Sequence, residues 1–571
     1  MSLSSANHSI QLIARLLDSD APTVPICDFG PQKPVIPTGN FSQPLPQAAP
    51  EQQGIPSRHI ANFLKTLADE PTLRMHSILV VRNGHLLCRA AFGMQDANLP
   101  RMTFSACKSI TALAIGLLMD DGLLHENDRL IDLFAGDCGP LSRQLMKELT
   151  VSHLLSMQTG NLFNEAGSMT CSDWVRSFFQ SPPLDGGKKF QYNSLNTYIL
   201  AALVTRITGK SLSTFLSERL FAPMGIEDFY WELSPEGIEK GGWGLYMKPE
   251  DLAKLGQLVM DLGCWQGQQL ISAAFVEKAI QPHAIAPEEY GDFNYGWQFW
   301  IGRDAPTFLF SGMFGQNVLG FRNNGVIVVA HAGNEETFQT SAFYTIADRF
   351  FGGQFPASLP KSLLGERELQ KTIAALTACG CKIPSWEAFS HFAGFRYVTQ
   401  DPLAASAGLL PVALQAVENS YSAGLQAVSI GGTRQQPEIL YEERNQLHHL
   451  VCGTKTPVRQ DIHWNGNVFR AAVLARFTHD EDGNPVLRVQ IDFQETPFTR
   501  VLKLISTPKG LLVRQEEFPG VDFLTGTVAL MQKNPGSRSL MAAIVGSAEQ
   551  GFLRWKLEQV FNPTLKFSKD L

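Results

Sequence analysis

The segment Met102-Thr-Phe-Ser105-Ala-Cys-Lys108-Ser-Ile110 puts a serine three residues ahead of a lysine and runs straight into an apolar stretch at 110–118. A stretch apolar on every side reads as a helix buried in a core, so the chain must build a domain large enough to surround it. At a helix N-terminus residues i and i+3 share one face, which brings hydroxyl and amine within hydrogen-bond reach. A lysine held there out of water can lose its proton and act as base toward the serine. The free backbone N–H groups of the same helix end suit a developing oxyanion. Ser358-Leu-Pro-Lys361 and Ser506-Thr-Pro-Lys509 repeat the spacing. Pro360 and Pro508 bias the residue before them away from helix, and Lys509-Gly510 reads as a hairpin turn, so both pairs are set aside.

A chain of 571 residues exceeds what one core organises, so two domains with extra segments are expected. Residues 21–54 hold eight prolines and little apolar periodicity, and 1–54 is read as a proline-rich extension. From there 57–70 reads as a capped amphipathic helix. Strands at 77–81 and 86–92 flank Asn83-Gly84, a strong hairpin signal. Over 150–349 helices alternate with glycine- and aromatic-rich loops, ending in an apolar strand read from 307 on to 321 and another at 326–330. The expected fold class is therefore α+β, an antiparallel sheet with a helical subdomain over 55–352. A linker with a helix follows at 353–391. An all-β barrel or sandwich is expected over 392–571, from short alternating strands such as 486–493 and turns at Gly431-Gly432, Asp482-Gly483 and Lys509-Gly510.

Composition narrows the function classes. A net charge of −7, with no basic run interleaved with aromatics, gives no reason to expect nucleic acid. Residues 1–20 have neither a basic start nor an unbroken apolar core, so no signal peptide and no membrane span are expected. Nine cysteines without a repeating frame favour a reducing, cytoplasmic setting, and Cys379-Gly-Cys381 reads as two ordinary thiols. His448-His449 near Cys452 lacks a second ligand pair and reads as a polar strand edge. Asp480-Glu-Asp-Gly-Asn484 lacks the ligand ladder of a calcium loop and reads as a solvated hairpin tip. No metal and no organic cofactor are expected; the expected partner is a small-molecule or short-peptide substrate, with the oligomeric state left open.

If Ser105 is a nucleophile, a second group must protonate the leaving group and a third must complete the oxyanion hole. Tyr192-Asn-Ser194 stands at the start of an apolar helix, where side chains can point into a cleft. A tyrosine near a lysine ammonium is expected to have a lowered pKa and to relay a proton, although a core aromatic is the competing reading. Phe310-Ser-Gly312-Met-Phe-Gly315-Gln316 opens a strand that turns back through a hairpin. Gly312 and Gly315 there let a ligand approach the main chain, and the Met313 N–H would face that of Ser105. A glycine-bearing bulge without a ligand is the alternative.

Ser105-x-x-Lys108, Tyr192-Asn-Ser194 and Phe310-Ser-Gly312, in that order, resemble the serine β-lactamase and penicillin-recognising family. The likeness is to its class C-like branch, which includes 6-aminohexanoate-dimer hydrolases, esterases and D-aminopeptidases. Thr150-Val-Ser-His-Leu-Leu-Ser-Met-Gln-Thr-Gly160, Phe221-Ala-Pro-Met-Gly-Ile226 and Gly241-Gly-Trp-Gly-Leu245 match as well, so the likeness covers about 52–350. It implies an acylated Ser105, Lys108 as base and Tyr192 as relay to the leaving amine or alcohol. It also implies an oxyanion hole from the backbone of Ser105 and Met313, with Gly312, Ser194, Gly315 and Gln316 around the substrate. Ser194 replaces the family's frequent asparagine.

Phe310 stands where β-lactamases carry a lysine or histidine for the substrate carboxylate. A neutral or extended amide or ester is therefore expected over a compact β-lactam. His331-Ala-Gly333 has the letters of that motif but should lie on the next strand. His153 reads as structural, and Trp297 and Trp300 as either core or acyl pocket. A serine hydrolase acting through an acyl-enzyme leads; acyl transfer and a slow-acylating binding or sensor protein are the alternatives.

Overall fold

A computed structural model describes residues 43–570 apart from 170, 182, 336–339, 378–388, 406 and 524–549. The 1–20 pattern, most of the proline-rich stretch and Cys379-Gly-Cys381 lie outside the described residues. The chain divides into two compact units. The first holds the described residues up to Phe92 and Asp96–Leu376; the second holds Gly93–Gln95 and the described residues from Thr377 on.

The first unit opens with α1 (Ser57–Asp69), whose Ile60, Phe63, Leu64 and Leu67 recur at helical spacing and are buried. Ser57 is not its cap. Pro56 takes that position, and the Ser57 N–H and hydroxyl both donate to Glu51, each at 2.8 Å. Strands β1 (Met75–Arg82) and β2 (His85–Ala91) form the hairpin expected from Asn83-Gly84, which take φ +48° and +76°.

The helix behind Ser105 is α2 (Cys107–Asp120), and every residue from Cys107 to Leu118 is buried. Each of its enclosed leucines and isoleucines contributes about 1.5–3 kcal/mol of burial free energy, which fixes this helix as a core element. The helix α4 (Ser194–Thr208) packs against it, and the unit also holds α3 (Glu165–Ser168) and α5 (Pro249–Met260). Strands β3 (Phe293–Tyr295), β4 (Trp300–Gly302), β5 (Thr307–Gly312), β6 (Gln316–Phe321) and β7 (Val326–Ala332) complete a seven-stranded antiparallel sheet in the order β2-β1-β7-β6-β5-β4-β3. Helices α6 (Ala342–Phe351) and α7 (Leu363–Leu376) end the unit, and Glu368 of α7 pairs with Arg58 and Lys65 of α1.

The apolar strand read from 307 to 321 is two strands. The chain folds back at Met313–Gly315, where Phe314 and Gly315 take φ +64° and +88°, so β5 and β6 pair antiparallel from Thr307↔Phe321 to Gly312↔Gln316. A phenylalanine in the left-handed region gives no turn signal in the sequence.

The second unit carries the short helix α8 (Val412–Val417) and strands β8 (Phe395–Thr399), β9 (Leu425–Gly432), β10 (Pro437–Glu443), β11 (Leu447–Val451), β12 (Val458–Trp464), β13 (Asn467–His479), β14 (Pro485–Phe493), β15 (Thr499–Thr507), β16 (Gly510–Phe518) and β17 (Thr564–Lys569). They form one antiparallel sheet in the order β11-β10-β9-β8-β17-β16-β15-β14-β13-β12. It curls until its two edges meet, where the Gln460 side chain bonds both main-chain groups of Val451 (3.2 and 3.0 Å). This is the near-closed barrel expected from the alternating strands.

His448 lies on the edge strand β11, as expected, but is not exposed there. It is buried against Glu443 at 3.2 Å, while only His449 faces solvent and pairs with Glu438. Asp480 is a hairpin tip whose carboxylate accepts from the N–H groups of Asp482 (3.1 Å) and Asn484 (2.7 Å). No single helix among the described residues is long and apolar enough to cross a membrane.

Candidate active site

Ser105 lies in the one-turn helix Phe104–Ala106 that feeds into α2, half-buried and one turn ahead of Lys108. Phe104 takes φ +47°, and its ring meets that of Phe314, also left-handed, edge to face at 5.1 Å. Two such residues, each costing on the order of 1–3 kcal/mol, persist only where surrounding packing over-determines them. Here they brace the serine turn against the β5–β6 turn.

Lys108 is 1% exposed and donates from Nζ to Ser105 Oγ at 2.9 Å and to the Gly242 carbonyl at 2.6 Å. Burial pushes its pKa down to about 8, against the opposing pull of Cys107 and Glu165. Desolvation disfavours the ammonium, and neither hydrogen-bond partner carries a charge to restore it. Gly242 owes its position to its size: a Cβ would come within 2.7 Å of the Ser194 carbonyl and 3.5 Å of Lys108 Nζ.

Tyr192 shares a hydrogen bond with Ser105, and its ring centroid lies 5.1 Å from Lys108 Nζ. The expected lowering of its pKa is overturned. Burial raises it, with only a partial offset from the Ser105 bond, so the phenol keeps its proton at neutral pH and serves as a hydrogen-bond donor. An aromatic wall holds the ring: Trp300 stacks on it with centroids 5.9 Å apart at 20°, and Tyr290 stacks on Trp300 at 5.4 Å. Trp300 therefore belongs to the site wall, whereas Trp297 stacks on His283.

The third segment reaches the serine through Gly312. A Cβ there would lie 2.2 Å from the Thr103 carbonyl oxygen and 3.2 Å from the Ala106 nitrogen, so only glycine lets the end of β5 lie against the backbone of the serine turn. Met313 follows it and opens the turn between β5 and β6. Gly315 makes that turn, and a Cβ would strike the Asn334 amide at 2.8 Å. Gln316 is buried and donates to the Ala332 carbonyl at 2.6 Å, which commits its side chain to the sheet. Ser194, the first residue of α4, is buried beside Gly242.

His331 sits on β7, separated from β5 by β6, fully buried beside the Ser77 hydroxyl at 3.5 Å. It does not substitute for Phe310. His153 accepts the Thr150 N–H at its own helix start (3.0 Å). Two groups escaped the sequence reading: the Gly242 carbonyl on Lys108, although its segment had been singled out, and Glu165. The latter lies in a four-residue helix too short to show any periodicity.

The family model for beta-lactamase matches residues 60–348. A 6-aminohexanoate-dimer hydrolase from Paenarthrobacter ureafaciens is 27% identical over 288 residues, covering 44% of this chain and 71% of the relative. A penicillin-binding protein from Bacillus subtilis is 21% identical over 296 residues, covering 42% of this chain and 62% of the relative. Among solved structures, a penicillin-binding protein homologue from Caulobacter crescentus is 17% identical with a TM-score of 0.42, covering 52% of this chain and 96% of that one. With its family model matched over half its length, the chain belongs to the beta-lactamase family.

Proposed function

We propose that the first unit is a serine hydrolase that cleaves amide or ester bonds of small molecules or short peptides through a covalent acyl-enzyme. The reading is carried by one observation: Lys108 is buried, lies 2.9 Å from the Ser105 hydroxyl and, among the described residues, hydrogen-bonds no carboxylate. Ser105 Oγ attacks the substrate carbonyl while the free Lys108 amine takes its proton. The carbonyl oxygen gains negative charge and is met by the backbone N–H groups of Ser105 and Met313. As the tetrahedral adduct collapses, the Tyr192 phenol gives its proton to the leaving amine or alcohol, and the Lys108 ammonium beside it returns the proton taken from Ser105 to the phenolate. Water then attacks the acyl-enzyme by the same steps in reverse, which releases the acid and restores Ser105.

Two features support a neutral or extended substrate. Phe310 is fully buried against Phe299 (5.3 Å) and Phe308 (6.0 Å), so no cation stands at that position for a carboxylate. The stack of Tyr192, Trp300 and Tyr290 places apolar rings, not charges, on that side of the serine. The relative named as a 6-aminohexanoate-dimer hydrolase fits amide cleavage. The test is turnover of a panel of p-nitrophenyl esters and anilides by wild type and Ser105→Ala, with intact-mass trapping of the acyl-enzyme. An acyl adduct on the Ser105 peptide of the wild type alone is expected. Turnover that survives Ser105→Ala would remove the reading.

A further inference from the structure

The residues that hold Tyr192 come from a loop the catalytic scheme leaves out. Asn193, next to Tyr192, donates from Nδ2 to the carbonyls of Asn161 (3.1 Å) and Phe163 (2.8 Å). The Ser194 N–H donates to Glu165 Oε1 at 2.9 Å. Three hydrogen bonds thus fasten 161–165 to the tyrosine motif, and the last ends on an exposed carboxylate at the N-terminus of the fifteen-residue α4, where the helix dipole favours negative charge.

Other groups around Lys108 fix what that carboxylate does. Ser105 faces it from the preceding turn, Cys107 from its own helix, Tyr192 from the loop before α4, and Glu165 from α3; Tyr290 stands behind Tyr192 on the aromatic wall. Burial pushes the Cys107 thiol up to about 12 and raises both tyrosines, so these three stay neutral at neutral pH. Of these groups Glu165 is the one that supplies negative charge. It acts on Lys108, Tyr192 and Tyr290 alike, in each case favouring the protonated form.

We propose that Glu165 is a positioning residue of this site: its carboxylate clips the first residue of α4 so that Tyr192 stays against Ser105, and it brings a negative charge to the side of the site that Lys108 and Tyr192 occupy. The inference rests on the reading of Ser105 and Lys108 as nucleophile and base.

Two variants separate clip from charge, because a glutamine oxygen can accept the Ser194 N–H whereas alanine cannot. The measurement is kcat and KM for p-nitrophenyl butyrate from about pH 6 to about pH 10 on wild type, Glu165→Ala, Glu165→Gln and Ser105→Ala. Glu165→Ala is expected to lose about 10-fold or more in kcat with KM within about 2-fold, as a misplaced proton donor should. Glu165→Gln is expected to restore most of that loss. Both variants should move the acid limb of kcat/KM to lower pH by roughly 0.3–0.5, a modest shift because the carboxylate is exposed, and one that shrinks in high salt. A kcat unchanged in Glu165→Ala, or a Glu165→Gln profile that superimposes on wild type, overturns the inference. If Glu165→Ala does not fold, the Glu165→Gln limb still decides. Turnover retained by Ser105→Ala would instead sink the hydrolase reading itself.

Discussion

Lys108 and Lys240 are both 1% exposed within the same unit, yet they serve opposite ends. Lys240 meets Glu232 at 2.6 Å, both side chains fully enclosed, and Lys254 likewise meets Asp251 at 2.8 Å. Each of these is a buried ion pair, in which a carboxylate offsets the loss of water around the ammonium. Lys108 has the same burial but is given a hydroxyl and a carbonyl instead. Among the described residues no charge at hydrogen-bond distance offsets its desolvation, so its pKa is pushed down to about 8, which suits the role of base proposed for it. Burial alone does not suit a lysine to the role of base; burial without a carboxylate bonded to it does.

Substitutions that remove one lysine at a time break the comparison most strongly. Lys108→Met should lower kcat/KM for a simple ester by about 100- to 10,000-fold while the urea midpoint stays close to wild type, since no partner charge is stranded. Lys240→Met should do the reverse, stranding Glu232 and costing about 3–5 kcal/mol in urea unfolding. Gly312→Ala should fall between them. Its methyl would press on the Thr103 carbonyl, and about 1–3 kcal/mol of stability should go together with activity, read by unfolding and turnover on the same sample. The smallest effect is expected from Tyr192→Phe, which keeps the stack on Trp300. A loss of about 10- to 100-fold in kcat with unchanged labelling of Ser105 by a fluorophosphonate would mark a role in leaving-group protonation.

The Lys108 side of this contrast was legible in the sequence, because Ser105 and Lys108 lie one turn apart at a helix start and local spacing is what periodicity reports; the ion pairs of Lys240 and Lys254 were not. Gly312 was legible as a point of close approach, but the neighbour was not: the expectation was a ligand, and the Thr103 carbonyl of the serine turn stands there instead. What stayed hidden comes from distant chain or from packing. The Gly242 carbonyl is a main-chain group, so no side chain announced it, and the left-handed turn at Phe314 uses a residue with no turn preference. Tyr192 was found but its acidity was misjudged, since the lysine's charge was weighed and the burial of the phenol was not. His448 does lie on the edge strand β11, but its burial was not legible because a histidine reads as polar; Glu443, five residues earlier and also buried, satisfies it. The final strand β17 falls inside the region expected to be all-β, but its place in the sheet was not legible: it pairs with both β8 and β16 at the centre of the barrel sheet.

The most direct test of the lysine's role is the pH dependence of fluorophosphonate labelling at Ser105, followed by intact mass on wild type and Lys108→Met. Lys108 can take the serine proton only when it has lost its own, so the labelling rate of the wild type should rise with pH through a single ionisation near 8 and level off above it. The variant should label slowly, without that ionisation. A wild-type rate that is flat through this range, or a Lys108→Met variant labelled as fast as wild type, would contradict the assignment of Lys108 as the base.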